Sequence, residues 1–271
     1  MVRHSEPLIS IITPSFNSAK YIETTIKSVI NQSYKNFEYI IIDGGSNDGT
    51  VEIIEKYQDK LSYWVSEPDQ GMYQAVNKGL ARAKGSIIAY LNSDDIYYPN
   101  TLKIVVNFFN RNDKISLVYG RLDFIDKNNN WLYTLNYPKF FIYLFMRANF
   151  STIGQPASFW RGNMSMENKL FDEDLKLASD FDFFIRIGRS YKVSYFPEVL
   201  AAFRIHNEQM TERYSKTAYD EINIIHKRYF PNELKIKNYL IRSIYKLFFK
   251  AINIKAYIKK IKIYVTSKIF S

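Results

Sequence analysis

Apolar residues cluster into short runs at Leu8–Thr13, Phe37–Ile42, Leu61–Val65 and Gly85–Leu91. Runs this short and this β-branched predict strands buried on both faces. Between them the apolar positions fall three and four apart: Tyr21, Ile22, Thr25, Ile26, Val29 and Ile30, then Thr50–Tyr57, then Gly71–Ala83. That spacing predicts helices, with Asn17 and Ser18 as candidate caps for the first. After Asn100 the pattern loosens. It predicts helices over 101–110, 179–189 and 214–229, and strands over 117–119, 122–125, 131–135, 193–196 and 199–205.

Strand and helix alternate through the first hundred residues, so the fold class is α/β: a mainly parallel central sheet with helices on both faces. Such sheets bind ligands beyond the carboxyl ends of their strands. Three strand ends carry polar chemistry: Thr13-Pro14-Ser15, Asp43-Gly44-Gly45-Ser46 and Asn92-Ser93-Asp94-Asp95. Adjacent carboxylates repel and are costly to desolvate. Asp94-Asp95 is either a solvated turn with one Asp as a helix cap or a cation site. Hard oxygen ligands favour Mg²⁺ or Mn²⁺, held by one or two carboxylates with phosphate oxygens completing the shell. The second reading therefore implies a substrate carrying a diphosphate.

Charge changes the picture at one place. The net charge is +10, but no Asp or Glu follows Glu233, and Lys235–Lys268 holds ten Lys or Arg. Removing those ten from the 37 basic residues leaves the rest balanced against the 27 acidic ones. A nucleic-acid-binding protein would carry its basic patch on the folded body, so no nucleic-acid partner is expected. In the tail Arg242, Lys246, Lys250, Lys255, Lys259 and Lys262 form a basic stripe beside Ile241, Ile244, Tyr245, Phe248, Ile252, Ile258, Ile261 and Val265. This basic amphipathic helical tail, residues 234–271, reads as an anionic-membrane binder, or as a helix packed on the body with a solvated Lys face. No run reaches the roughly 18 apolar residues of a membrane span. Ser5, Glu6 and Pro7 precede the first apolar segment, unlike a secretory leader. There is no Cys, which rules out disulfides and thiolate metal sites and fits a reducing compartment.

Thr13-Pro14-Ser15-Phe16-Asn17, Asp43-Gly44-Gly45-Ser46-Asn47-Asp48-Gly49-Thr50 and Asn92-Ser93-Asp94-Asp95, in that order and spacing, resemble the family 2 glycosyltransferases of the A-type nucleotide-diphospho-sugar transferase fold. Ser66-Glu67-Pro68-Asp69-Gln70-Gly71-Met72-Tyr73 followed by Asn77-Lys78-Gly79 resembles the branch that builds bacterial surface polysaccharides (O-antigen, capsule or exopolysaccharide). The resemblance implies a catalytic domain over 1–233, with a nucleotide-sugar half (1–100) and an acceptor half (101–233). Thr13, Pro14 and Ser15 would shape the nucleobase pocket and Asp43 would accept a base N–H. Asp94 would lie near the ribose or the metal's water shell, and Asp95 would bind Mn²⁺ or Mg²⁺. Asn92 stands where many members have Asp, which lowers the charge offered to the metal. Gln74 stands where this branch often has Asp, so it reads as a polar residue on the crevice rim.

The resemblance further implies that Asp180, in Ala178-Ser179-Asp180-Phe181-Asp182, is the base that activates an acceptor hydroxyl; without it, Asp180 reads as an acid favoured by a helix N-terminus. Asp182 reads as structural. Gln155 would face the sugar or acceptor, or else simply end a strand. Arg204 and His206, in Phe203-Arg204-Ile205-His206 with Thr211, would meet the diphosphate or metal. The expected protein is an inverting, metal-dependent glycosyltransferase. It would use a nucleotide-diphospho-sugar, a UDP-sugar first, and a lipid-linked saccharide acceptor, on the cytoplasmic face of a membrane. The alternatives are a non-catalytic, membrane-associated nucleotide-sugar-binding protein and a nucleotidyltransferase; the second lacks the Gly-rich basic loop such enzymes use.

Overall fold

The four apolar runs form β1 (Ile9–Ser15), β2 (Phe37–Asp43), β3 (Tyr63–Ser66) and β4 (Ile87–Tyr90). The helices between them are α1 (Ile22–Ile30), α2 (Thr50–Glu55) and α3 (Met72–Leu80). There follow β5 (Ile96–Tyr97), α4 (Thr101–Arg111), β6 (Leu117–Ile125), β7 (Trp131–Leu135), β8 (Ser158–Arg161), α5 (Ser179–Ser190), β9 (Val193–Arg204), α6 (Ser215–Tyr229), α7 (Lys235–Ile252) and α8 (Ile254–Ile269). This computed structural model describes residues 6–139, 151, 153–164, 171–209, 215–229 and 235–269. Thr211 lies outside them.

All nine strands join one sheet in the order β3-β2-β1-β4-β8-β6-β9-β5, with β7 on β6. β1 is parallel to β2 and β4, β2 to β3, and β6 to β9, while β8, β7 and β5 run against their neighbours. The chain moves outward from β1 to β2 to β3, then crosses back to β4. With right-handed crossovers, α1 and α2 cover one face and α3 the other. β1 is buried along its whole length. At Gly79 of α3 an added Cβ would fall 2.5 Å from Ile12 Cγ2, so glycine is what lets α3 lie this close to the sheet. The direction of travel reverses at β1 and β4, and their carboxyl ends open the crevice between two diverging connections.

The structure corrects the second half of the strand pattern. The sequence breaks at Gly120 and Pro197 suggest four short strands; instead β6 and β9 are continuous and pair with register shifts around Arg121. A Cβ at Gly120 would sit 2.6 Å from the Glu198 carbonyl oxygen, so this glycine marks a close approach of two backbones, not a turn. The two halves proposed from sequence share this one sheet, since β4 pairs with β8 and β5 with β9. Asn17 and Ser18 do not cap α1. That helix starts at Ile22, and both side chains are used elsewhere.

The tail packs on the body. Tyr245, Phe249, Asn253 and Ala256 are buried. Asn253 grips the chain after β7 by a reciprocal amide pair, accepting from Asn136 N at 2.7 Å and donating to Asn136 O at 2.9 Å. Lys259 Nζ lies 3.5 Å from the centre of the Trp131 ring. Among the described residues no helix is long and apolar enough to cross a membrane.

Candidate active site

Register brings the first two strand ends together, with Ser15 opposite Asp43 and Asp43 opposite Ser66. Hydrogen bonds then stitch the loops. Asn17 N donates to Ser46 Oγ, Asn47 N to Asn17 Oδ1, Ser18 N to Thr50 Oγ1 and Ala19 N to Asp48 Oδ2. Ser18 Oγ and Ser93 Oγ lie 2.7 Å apart, tying in the third strand end. Burial raises the Asp48 carboxyl, but the Thr50 hydroxyl and the Ala19 and Thr50 N–H groups outweigh it and hold it below the usual range.

Several expected roles change here. Thr13 is fully buried with its hydroxyl 3.0 Å from that of Tyr39, so it supports the pocket wall from behind. Pro14 is buried beside it. Ser15 keeps a buried Oγ without a partner. Asp43 is fully buried and accepts from Gly45 N, Ser46 N and the hydroxyls of Ser46 and Ser66. In this structure it is a turn anchor with both oxygens engaged. Oδ2 takes three of these bonds and Oδ1 one, so burial, and not a full set of acceptors, is what bars a base N–H from it.

The carboxylate pair splits into an inner and an outer member. Asp95 is fully buried: Oδ1 accepts Arg204 N at 3.0 Å and Oδ2 has no hydrogen-bond partner. Burial, then the charge of Asp94, push its carboxyl well above the ordinary range, against the opposing pull of Arg204 and Asn92. Asp94 is partly exposed, and its Oδ2 lies 3.0 Å from His206 Nε2. His206 Nδ1 accepts Glu208 N–H at 3.3 Å, which leaves the proton on Nε2 to be donated to Asp94. The His206 ring packs on Tyr21, with centroids 4.5 Å apart.

Arg204 does not face the crevice. It is buried, its Nε donates to Asp94 O at 2.7 Å, and its Nη1 donates to Asn129 Oδ1 at 2.6 Å and Asp126 O at 3.3 Å. It braces the Asp94-Asp95 turn, and its Nη2 is buried without a hydrogen-bond partner.

Asp180 lies in the first turn of α5. Its Oδ1 accepts Phe181 N at 2.8 Å and the Tyr73 hydroxyl at 3.3 Å. Burial pushes its carboxyl up to about 6, with those two donors pulling the other way and the charge of Glu221 adding to the rise. Tyr90 at the end of β4 links the two regions. Burial, then Tyr73 and the charges of Asp180 and Asp95, keep its hydroxyl protonated. Gln155 joins from behind: beyond Ile88 the β4–β8 pairing stops, and Gln155 Nε2 donates to Tyr90 O at 2.7 Å. Gln155 thus satisfies a strand end and is buried. Asp182 is structural as expected, accepting from Arg186, Arg228 and Tyr229. Gln74 lines a small pocket with Gln70, Gly71, Tyr73, Glu173 and Lys176, and its Nε2 donates to Glu173 Oε2 at 3.0 Å.

Three further residues matter. Glu221 of α6, buried, accepts Lys176 N at 2.7 Å, Leu177 N at 2.8 Å and Ala178 N at 2.9 Å. It caps the approach to α5 and so fixes where Asp180 points. Tyr73 was visible only as a motif member. Phe16, 62% exposed just beyond β1, offers a ring at the crevice mouth.

Among the described residues no three His, Cys, Asp or Glu side chains are grouped to hold a metal. The donor set nevertheless fits Mn²⁺ or Mg²⁺ shared with a diphosphate. One partly exposed carboxylate oriented by a histidine would supply the hard anionic oxygen, and a cation beside it would favour the ionised form of Asp95, whose buried Oδ2 has no partner. The exposed member is Asp94. Asp95, expected to be the ligand, is the enclosed one.

The mixed sheet with its flanking helices matches the A-type nucleotide-diphospho-sugar transferase fold. Two solved structures share it. S. aureus TarS (residues 1–349) in complex with UDP aligns with TM-score 0.62 at 20% identity, covering 86% of this chain and 69% of that one. The mannosyltransferase PcManGT from Pyrobaculum calidifontis, in complex with GDP-Man and Mn²⁺, aligns with TM-score 0.62 at 15% identity, covering 93% and 72%. Glycosyl transferase family 2 matches residues 10–175, and the chain belongs to that family. An uncharacterized glycosyltransferase of Rickettsia typhi is 34% identical over 216 residues, 76% of this chain and 66% of the relative; one of Rickettsia bellii is 32% identical over 219 residues. The chain spans 31% of the R. bellii protein's length.

Proposed function

We propose that the protein is an inverting, metal-dependent glycosyltransferase that moves a sugar from a nucleotide-diphospho-sugar to a saccharide hydroxyl. What supports this reading is a carboxylate, Asp180, raised to about 6 and held at 3.3 Å by the Tyr73 hydroxyl, close enough to the Asp94–Asp95 turn that the charges of Asp180 and Asp95 both act on Tyr90. A base poised near neutrality can take the acceptor proton as the hydroxyl attacks. Asp94, oriented by His206, holds the divalent cation, which when bound supplies charge to the departing diphosphate. Phe16 stacks on the base, and Ser15 Oγ is a free hydrogen-bonding group beneath it. Attack from the Asp180 side in a single displacement inverts the anomeric carbon and needs no covalent enzyme intermediate.

A UDP-sugar is the first donor to test, because TarS has been solved with UDP and with UDP-GlcNAc. GDP-mannose is the second, after PcManGT. The acceptor is a lipid-linked saccharide of a surface polysaccharide pathway, met at the cytoplasmic face of a membrane; the basic, acid-free tail supports this reading. The deciding experiment is calorimetric titration of UDP and GDP, with and without Mn²⁺, into wild type and Asp94→Asn, followed by sugar release from the nucleotide that binds. Metal-dependent binding lost in the variant, with turnover, is expected. Binding without any turnover would favour a nucleotide-sugar-binding protein, and no binding of either nucleotide would overturn the donor site.

A further inference from the structure

The tail has two apolar faces, and only one is used by the body. Tyr245, Phe249, Asn253 and Ala256 are buried against it. On the outside, Leu240, Ile244, Leu247 and Phe248 of α7 and Ile254, Ile258 and Ile261 of α8 are each about half or more exposed. Within each helix these fall at three- and four-residue spacing, so each set lies in one row. At about 100° per residue, Lys250 lies roughly 100° and Lys246 roughly 145° round from the middle of the α7 row, on the flank between that row and the body face. Lys246, Lys250, Lys255 and Lys260 are all exposed, and no acid lies anywhere on these helices. Trp131, 53% exposed on β7, extends the patch through its contact with Lys259.

Monomeric proteins seldom leave so many large aliphatic residues exposed along two consecutive helices. A helix merely packed on the body would turn a Lys-rich polar face outward, and this one turns out isoleucine, leucine and phenylalanine as well. Charge complementarity selects the occupant. A second copy would bring lysines against lysines, whereas an anionic bilayer offers a negative headgroup plane with apolar chains beneath it. We infer that the outer face of α7 and α8, with Trp131 at its edge, is a membrane-docking surface: the aliphatic row enters the interface and the lysines meet anionic headgroups. The inner face keeps the catalytic body attached. This inference deepens the membrane placement proposed above but needs none of the catalytic assignments.

The test is flotation of the full chain with phosphatidylcholine vesicles, with and without phosphatidylglycerol, while the Trp emission is followed. Two variants accompany it: Ile244→Ser/Leu247→Ser/Ile258→Ser, and Lys246→Gln/Lys250→Gln/Lys255→Gln. Wild type is expected to float with anionic vesicles, to be released by salt, and to show a blue shift that Trp131→Phe abolishes. Removing three lysines should weaken binding roughly a hundredfold, and the serine variant should weaken it at any salt. Melting curves confirm that both variants are folded, since every changed residue is exposed. Wild type remaining in solution with both vesicle types overturns the inference. So does a serine variant that binds like wild type, or a lipid-free dimer that the serine variant abolishes. Metal-dependent UDP binding measured on the same samples reads the catalytic proposal separately.

Discussion

Asp95 and Asp180 are both carboxyls raised by burial, yet their surroundings differ in kind. Asp95 has one oxygen on a backbone N–H, the other unpartnered, and a second acid beside it. Asp180 has two donors on a single oxygen and a solvent-facing side. The first arrangement disfavours the charged form of Asp95 unless a divalent cation sits beside it. The second leaves a lone group able to pick up and release a proton near neutrality. On the proposed mechanism the same residue type and the same desolvation serve opposite ends of one displacement, Asp95 with an adjoining acid and Asp180 with a tyrosine hydroxyl on its carboxylate and an acid, Glu221, acting on it without a hydrogen bond.

The largest test of this contrast is Asp180→Asn. It should lower kcat about a thousandfold, within the range that general bases contribute, with metal-dependent UDP affinity unchanged; an equal loss of affinity would erase the distinction. Asp94→Asn should do the reverse, lowering metal-dependent UDP affinity by roughly tenfold or more, because charge-assisted contacts are the strong ones. Asp95→Asn should cost less affinity than Asp94→Asn. The opposite order in calorimetry would make the inner acid the ligand, as the motif alone suggests.

Two smaller effects have opposite signs. In wild type kcat should rise with pH through about 6 as Asp180 loses its proton. Glu221→Gln removes a charge that raises the Asp180 carboxyl, so the rising limb should move to lower pH, while loss of the three-fold N–H clamp lowers kcat about tenfold. Tyr73→Phe removes a donor that stabilises the carboxylate, so its limb should move to higher pH by under about one unit. Limbs that move together, or not at all, would mean that Asp180 does not set the profile.

The strand ends were legible because alternating βα units must deliver them to one edge, and the register of Ser15, Asp43 and Ser66 does so. The order of importance within each end was not. Adjacent letters cannot say which of Asp94 and Asp95 turns inward, since that depends on Arg204, whose N–H meets Asp95 across 109 residues of chain. Thr13, Gln155 and Arg204 belong to the site's motifs but are spent on Tyr39, on the Tyr90 carbonyl and on the Asp94 carbonyl. Glu221 left no mark at all, because its partners are main-chain N–H groups, which every sequence supplies. A two-residue strand such as β5 is too short for any periodicity. The tail's charge was plain, but its division into a body face and an outer face required knowing that Asn253 grips Asn136.

β5 begins at Ile96, immediately after the acidic pair, and lies against Ala202 and Ala201 of β9. His206 reaches Asp94 from 112 residues further along, just beyond that strand. Pairings this distant in sequence form late and slowly, because the intervening loop must close first. On the ribosome the acidic turn would therefore emerge early and stay unbraced, with Asp94 and Asp95 both facing water, until more than a hundred further residues had been made. Under the proposed metal role, competence to hold a divalent cation should arrive as one of the last events in folding, and the ion would report a folded chain, not nucleate it.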